Sequence, residues 1–120
     1  MTTKSTYALL IYRTLEGDLS RKDERRALEG HRSLQALAGA AGDLHAVARL
    51  DDVTDAKTIS VQKGVHAVTD GPYIDTKEWL VGFYLIDCTN QAEAVERAKM
   101  ICAIDGHAIE VRPVGWRWKK

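Results

Sequence analysis

The residue best suited to acid–base chemistry is His31, which lies three residues after Leu28 and three before Leu34. Side chains three or four residues apart share one face of a helix, so the imidazole is predicted to point toward the interior. Histidine exchanges protons near neutral pH, which makes it a natural general acid or base. A lone histidine on an apolar face is more often a core residue with one ring nitrogen hydrogen-bonded to neighbouring backbone. Both interpretations stay open at this point.

A second concentration of reactive side chains is the segment 68–78 (VTDGPYIDTKE). Asp70 and Gly71 favour a turn and Pro72 stiffens it, so a rigid connection between strands explains part of the pattern. The segment carries more charge than a tight turn needs, and loops held by strands are common places for sites. A carboxylate such as Asp70 could orient a histidine or share a proton with it. The other ionisable residues of the segment are Asp75, Lys77 and Glu78.

The remaining histidines and the cysteines indicate no metal site. His45, His66 and His107 have no partner at the spacing of metal ligands, so we assign no metal, and no motif calls for a cofactor. Cys88 and Cys102 lie in apolar runs without the spacing of a disulfide framework. We expect both to be buried thiols in a reducing compartment.

The bulk composition fits one domain, residues 1–120, with no electrostatic preference for a partner. Seventeen Lys and Arg residues balance 17 Asp and Glu residues, so neither nucleic acid nor an anionic membrane is attracted by net charge. The first residues lack a secretory signal pattern, and no apolar run approaches the roughly 20 residues needed to cross a bilayer. We therefore expect a cytoplasmic protein. The C-terminal WRWKK could stack on bases or lie on lipid, but a dimer contact or a solvated tail is favoured.

The elements that must position these residues follow from periodicity and turn signals. Ser20 with Asp23, and Asn90 with Glu93, are typical helix starts. Gly39 and Gly42 close the first helix, and Lys63 with Gly64 forms a two-residue turn. The predicted strands are residues 7–13, 44–50, 57–62, 65–69, 79–88 and 108–114, with helices from 20 to 42 and from 90 to 106.

This order predicts an α+β domain of ferredoxin-like βαββαβ type, an antiparallel sheet with two helices on one face and an added hairpin. Residues 79–88 (WLVGFYLIDC) are the strongest strand signal and are expected to be central, with Gly82 marking a bulge or a close backbone approach. The strands at 7–13 and 79–88 are too apolar for their second face to meet water. A second copy covering that face would make a homodimer.

Several of these segments resemble one known family. VTDGPYIDTKE closely resembles the signature of the DGPF-motif branch of the YCII-related family, with Tyr73 in place of the phenylalanine of the motif. The similarity continues through YALLIYR, GFYLIDC, QAEAVERA and IEVRPV, and so covers nearly the whole chain. The resemblance implies a dimeric α+β barrel, in a family whose biochemical functions are mostly unassigned.

The resemblance also bears on the site. Relatives in the wider group are proposed to use a histidine near the first helix together with an aspartate, and some eliminate chloride from chlorinated aromatics. His31 resembles the counterpart of that histidine, whereas Asp70 as its partner is our inference from the motif. Other members are encoded beside extracytoplasmic-function sigma factors, which implies a regulatory role.

Two functions therefore compete. One is a small-molecule lyase or hydrolase in which His31 is the general acid or base and Asp70 orients it. A small anionic or phenolic substrate would then be held by Arg49, Tyr73, Lys77 and Glu78. The other is a binding or regulatory module without catalysis, for which a packed His31 and an exposed patch elsewhere are expected.

Overall fold

The chain alternates strands and helices in the predicted order. The computed structural model describes residues 3–13, 20–73, 78–102 and 104–118. The strands are β1 (Ser5–Arg13), β2 (Leu44–Arg49), β3 (Lys57–Gln62), β4 (Val65–Asp70), β5 (Trp79–Cys88) and β6 (His107–Pro113). The helices are α1 (Arg21–Ala40) and α2 (Gln91–Ile101), and a short 3-10 turn spans Val53–Asp55. None of the described helices is long and apolar enough to cross a membrane.

Four strands form one antiparallel sheet in the order β2-β5-β1-β6. This is the ferredoxin-like arrangement, because the first strand lies between the third and the fourth of the four and the helices cross between them. The strand β5 is central, as predicted. The strands β3 and β4 pair only with each other, so the hairpin is an insertion between β2 and β5.

Local sequence determines where the helices begin. The Ser20 hydroxyl accepts a hydrogen bond from the Asp23 backbone N–H at 3.1 Å, and the Asn90 side chain accepts one from Glu93 N–H at 2.9 Å. These bonds satisfy backbone donors that the first helical turn leaves without partners. Both predicted helix starts are confirmed.

The core lies between the helices and one face of the sheet. Alternate residues of β1 and β5 are buried there, against Leu34 and Ala38 of α1 and three residues of α2. Leu28 and Leu37, which the periodicity of α1 places on its apolar stripe, are 49% and 44% exposed. The buried strand residues are Tyr7, Leu9, Ile11, Tyr84, Ile86 and Cys88.

The two cysteines differ in environment. Cys88 is buried, and burial followed by the nearby Glu93 carboxylate raises the pKa of its thiol to about 11. Cys102 is exposed, so the expectation that it is buried was wrong. It is the C-cap of α2, and its thiol donates to the His107 carbonyl oxygen at 3.6 Å.

Two glycines permit close approaches of backbone. A Cβ on Gly82 would lie 2.7 Å from the Ala48 carbonyl oxygen of β2, and the β1–β5 register shifts beside it. The prediction of a bulge with close packing at Gly82 is confirmed. A Cβ on Gly30 would overlap the Met100 carbonyl oxygen, so this glycine lets α1 and α2 touch.

Two apolar surfaces remain outside the core. On the sheet face away from the helices, Leu10 lies opposite Phe83 and Ala8 opposite Leu85, and all four are only partly buried. On the hairpin, Ile59 pairs with Val68 on the same face as Val61, and all three are exposed. Such surfaces are typical of protein contacts.

The Gly30 contact makes a testable prediction about α1. Gly39 lies in the same helix, and a Cβ added to it would meet nothing within 4 Å. Gly39→Ala should therefore raise the free energy of unfolding by up to about 1 kcal/mol through helix propensity. Gly30→Ala should lower it by about 1–3 kcal/mol, because the helices must separate. Urea unfolding followed by circular dichroism measures both; equal effects would contradict the close helix contact.

Candidate active site around His31

The His31 side chain points from α1 onto the sheet, as its spacing predicts. Its Nδ1 lies 2.7 Å from the hydroxyl oxygen of Tyr84 on β5. The two rings are nearly parallel, with 6° between their planes and centroids 5.7 Å apart. The Tyr84 side chain is fully buried, with 0% of its surface exposed, whereas His31 is half-buried. The histidine therefore connects a buried hydroxyl to a more accessible position.

Gln35 completes the hydrogen bonding of this hydroxyl. It follows His31 by one helical turn, and its Nε2 donates to the Tyr84 oxygen at 3.1 Å. With that acceptor position filled by Gln35, the Tyr84 O–H is available to donate to Nδ1 of His31. A neutral imidazole that accepts at Nδ1 carries its proton on Nε2. The Tyr84 oxygen keeps a second lone pair, so the other tautomer, with the proton on Nδ1, fits the same contact.

The surroundings favour neutral side chains at this site. Burial, followed by the nearby His107, lowers the pKa of His31. Burial also raises the pKa of Tyr84, although the hydrogen bond from Gln35 opposes that shift. His31 is thus an unprotonated imidazole at neutral pH, which is the form that a general base requires.

A second histidine and an arginine lie on the same face of the sheet. His107 opens β6 directly opposite Arg13, which ends β1. Burial, followed by the Arg13 charge, lowers the pKa of His107, and its Nε2 is buried without a hydrogen-bond partner among the described residues. Two imidazoles whose pKa values are both lowered therefore lie near one another.

The structure does not bring Asp70 to His31 within the described part of one chain. Asp70 ends β4 and its carboxylate lies 2.6 Å from the Lys57 ammonium across the hairpin, with 85% of its side chain exposed. The described contact of His31 Nδ1 is with the Tyr84 hydroxyl. The pairing of His31 with Asp70 stays a prediction.

Two of the expected substrate-binding residues line one cleft. Tyr73, 82% exposed, and Glu78 face a cleft of about 530 Å³ with Tyr12, Trp79 and Leu80. Asp51, Asp52 and Asp55 lie on its rim, so its charge suits a neutral phenol better than an anion. His31 is not among the described residues that line this cleft.

The other two expected residues lie elsewhere. Arg49 ends β2 opposite Gly82, on the sheet face that also carries Tyr84, and it is exposed. Lys77 and Asp75 lie outside the described residues. Within the described chain, no three His, Cys, Asp or Glu side chains are grouped as metal ligands.

The partners of His31 were not predicted from the sequence. Gln35 follows the histidine at i+4, so helical spacing could have found it. Tyr84 lies 53 residues away, and only the packing of α1 on β5 brings it close. For His107, only a metal role was considered, and its place beside Arg13 was not foreseen.

The fold and this cluster define a ferredoxin-like α+β domain in which a histidine of the first helix contacts the sheet. The chain belongs to the YCII-related domain family, whose model matches residues 6–119. An uncharacterised protein of Rhizobium meliloti (strain 1021) is 36% identical over 112 residues, which cover 90% of each chain. The assignment to the YCII-related family made from the sequence is confirmed.

The lowered pKa of His31 predicts a dependence of stability on pH. The unfolded chain binds a proton at His31 below about pH 6.5, whereas the folded protein resists protonation until a lower pH. In that window the unfolded state holds more protons, so the free energy of unfolding falls as the pH falls. His31→Gln should lose less stability between pH 7 and pH 5 than the wild type, as measured by urea unfolding. The exposed His66 provides the control, because His66→Gln should keep the wild-type slope; a wild-type slope in His31→Gln would contradict the assignment.

Proposed function

We propose that the protein is a cytoplasmic, homodimeric enzyme of the lyase or hydrolase class that acts on a small phenolic or carboxylic acid substrate. The observation that carries this proposal is the His31–Tyr84 contact, which holds a neutral, half-buried imidazole in one orientation. A histidine with only a structural role is expected to be fully packed, and His31 is not. The free thiols of Cys88 and Cys102 suit a reducing compartment.

In this proposal His31 exchanges a proton through Nε2, while Tyr84 holds Nδ1. The Tyr84 hydroxyl can donate to Nδ1 or accept from it, so one arrangement of heavy atoms serves both tautomers. When Nδ1 carries the proton, it donates a hydrogen bond to the Tyr84 oxygen, and Nε2 is free to remove a proton from the substrate. When Nε2 carries the proton, it can donate a hydrogen bond to an oxygen that gains negative charge.

The other expected residues take part as binding groups. Arg49, on the Tyr84 face of the sheet, supplies a cation for a carboxylate or enolate, and Lys77 is proposed for the same task. Tyr73 and Glu78 line a cleft whose described lining does not include His31 of the same chain, so they would contact a phenolic ring bound at His31 only across a dimer interface. Asp70 would act on His31 only if a second subunit brought it to the histidine. Its place in this proposal rests on the resemblance of residues 68–78 to the DGPF motif.

The homodimer is supported by the two apolar surfaces. Leu10, Phe83 and Leu85 form an apolar stripe on the sheet face that the helices leave uncovered. The hairpin carries Ile59, Val61 and Val68 on one exposed face. A second copy placed sheet against sheet would remove the first surface from water.

A dimer built in this way predicts the effect of a charge on the open face. Leu10→Glu should convert the dimer to a monomer, because the carboxylate would be buried against the partner sheet. Arg25→Glu, an exposed change on the outer side of α1, should leave the dimer intact. Sedimentation velocity distinguishes the two states; a dimeric Leu10→Glu variant with a native circular dichroism spectrum would exclude this interface.

The catalytic proposal is tested by NMR titration of the histidines with a panel of phenols and carboxylic acids. A substrate analogue should shift the His31 ring resonances and change its pKa. For the substrate so identified, His31→Gln should reduce kcat by about 100-fold or more, with the unfolding midpoint little changed. His66→Gln should retain full activity, since His66 is exposed on the hairpin. If no compound of the panel shifts the His31 resonances or changes its pKa, the catalytic proposal is contradicted.

A regulatory function is the second candidate, and the exposed hairpin is the observation that favours it. Ile59, Val61 and Val68 present β-branched side chains in an extended pair of strands, which is a surface suited to docking a protein. A regulator such as an extracytoplasmic-function sigma factor would bind there without any role for His31. Retention of that binding by His31→Gln would then separate this function from catalysis.

A further inference from the structure

The start of the C-terminal segment continues along the edge of the sheet beyond β6. The Val114 backbone N–H donates to the Thr6 carbonyl at 2.9 Å, which continues the β1–β6 edge past the last strand residue. Residues 114–118 then line a cleft of about 580 Å³ together with Ser5 and Thr6. Trp116 and Trp118 in this segment are 80% and 70% exposed. The segment therefore holds two aromatic rings at one end of the sheet.

A polar cluster lies beside this cleft. One carboxylate oxygen of Asp87 accepts from the Thr6 hydroxyl at 2.7 Å, and the other lies 2.8 Å from Nε2 of His45. Burial acts to raise the pKa of Asp87, but the hydrogen bonds from Thr6 and His45 outweigh it and the pKa lies below its ordinary value. Asp87 is thus a fixed negative charge. It follows the buried Ile86 in β5, so its side chain lies on the sheet face away from His31.

The fixed carboxylate explains the position of Arg117. A guanidinium nitrogen of Arg117 lies 3.3 Å from Nε2 of His45, the atom that is also 2.8 Å from Asp87. An Nε2 that donates to the carboxylate has no lone pair for Arg117. We take the shorter contact as the hydrogen bond, so the attraction of Asp87 holds Arg117 without using its N–H donors.

The cleft consequently combines a cation with aromatic surfaces. Arg117 lines it beside Trp116 and Trp118, and none of the described residues that line it is a carboxylate. An arginine offers several N–H donors to a carboxylate or phosphate, and a tryptophan face stacks on any planar ring. We propose that this cleft binds a planar aromatic ring that carries an anionic group, with the anion at Arg117 and the ring on Trp116 or Trp118.

This binding site is separate from the His31 cluster and does not depend on it. Two kinds of ligand share its chemistry, namely an aromatic carboxylate and a nucleotide with a terminal phosphate. Each kind of ligand has a neutral counterpart with the same ring. Benzamide is the counterpart of benzoate, and adenosine is the counterpart of adenosine monophosphate. Comparing the affinities within each pair shows how much the anionic group contributes to binding. Comparing the two pairs shows whether the cleft prefers an aromatic carboxylate or a nucleotide.

The test follows the indole N–H resonances of the three tryptophans during titration with these four compounds to millimolar concentration. Trp79 lies outside this cleft but lines the one that contains Tyr73, so its signal reports any binding at that second cleft. We expect benzoate or adenosine monophosphate to shift the Trp116 and Trp118 signals, with much weaker shifts from the neutral counterparts. Trp116→Phe and Trp118→Phe assign the two signals.

Variants then test the residues that bind. Arg117→Gln should weaken binding of the anion by about tenfold or more, since a charge-assisted hydrogen bond is lost. Trp116→Leu or Trp118→Leu should weaken it by about fivefold or more for the ring that stacks. Arg112→Gln removes an exposed arginine of β6 that does not line the cleft and should have no effect. Equal shifts from charged and neutral ligands, equal losses in Arg117→Gln and Arg112→Gln, or signals that never move would each overturn the proposal.

Discussion

The burial of the Tyr84 hydroxyl is the constraint on which the arrangement of this domain depends. A phenol ring gains stability in the core, but its oxygen loses that gain unless it finds hydrogen-bond partners. Both partners come from α1, one helical turn apart, so the helix can cross the central strand only where His31 and Gln35 reach Tyr84. Gly30 lets α2 press closely against the same helix. A single buried hydroxyl thereby sets the position of the helix and the orientation of the imidazole.

The sheet separates two sets of polar side chains with different partners. Its helix face holds neutral groups whose pKa values are shifted against charge, namely His31, Tyr84 and His107. Its open face ends in a charged set, in which Asp87 is held by Thr6 and His45 and attracts Arg117. Alternation along β5 produces this division, because Tyr84 and Asp87 point to opposite sides of the same strand. Chemistry that needs an uncharged base and binding that needs a fixed cation can thus exist in one small domain.

The sequence by itself determined the elements and their order. Apolar periodicity, the caps at Ser20 and Asn90 and the turn at Lys63 and Gly64 are local signals, and each acts within a few residues of the structure it causes. The ferredoxin-like order followed from those elements, and the inward face of His31 followed from its spacing in α1. The same periodicity misplaced Leu28 and Leu37, because a stripe states which side of a helix is apolar and not how far the sheet extends beneath it.

Only the tertiary structure decided which side chains meet. Tyr84 lies 53 residues from His31, and Asp87 is one of several carboxylates that the sequence offered to a histidine. Their positions depend on strand register, and the shift beside Gly82 changes which residues of β5 oppose those of β1. A shift of one residue turns every later side chain to the other face, and packing over the whole sheet chooses the register. For that reason the histidine could be found in the sequence, whereas Tyr84 as its partner, and the pairing of His45 with Asp87, could not.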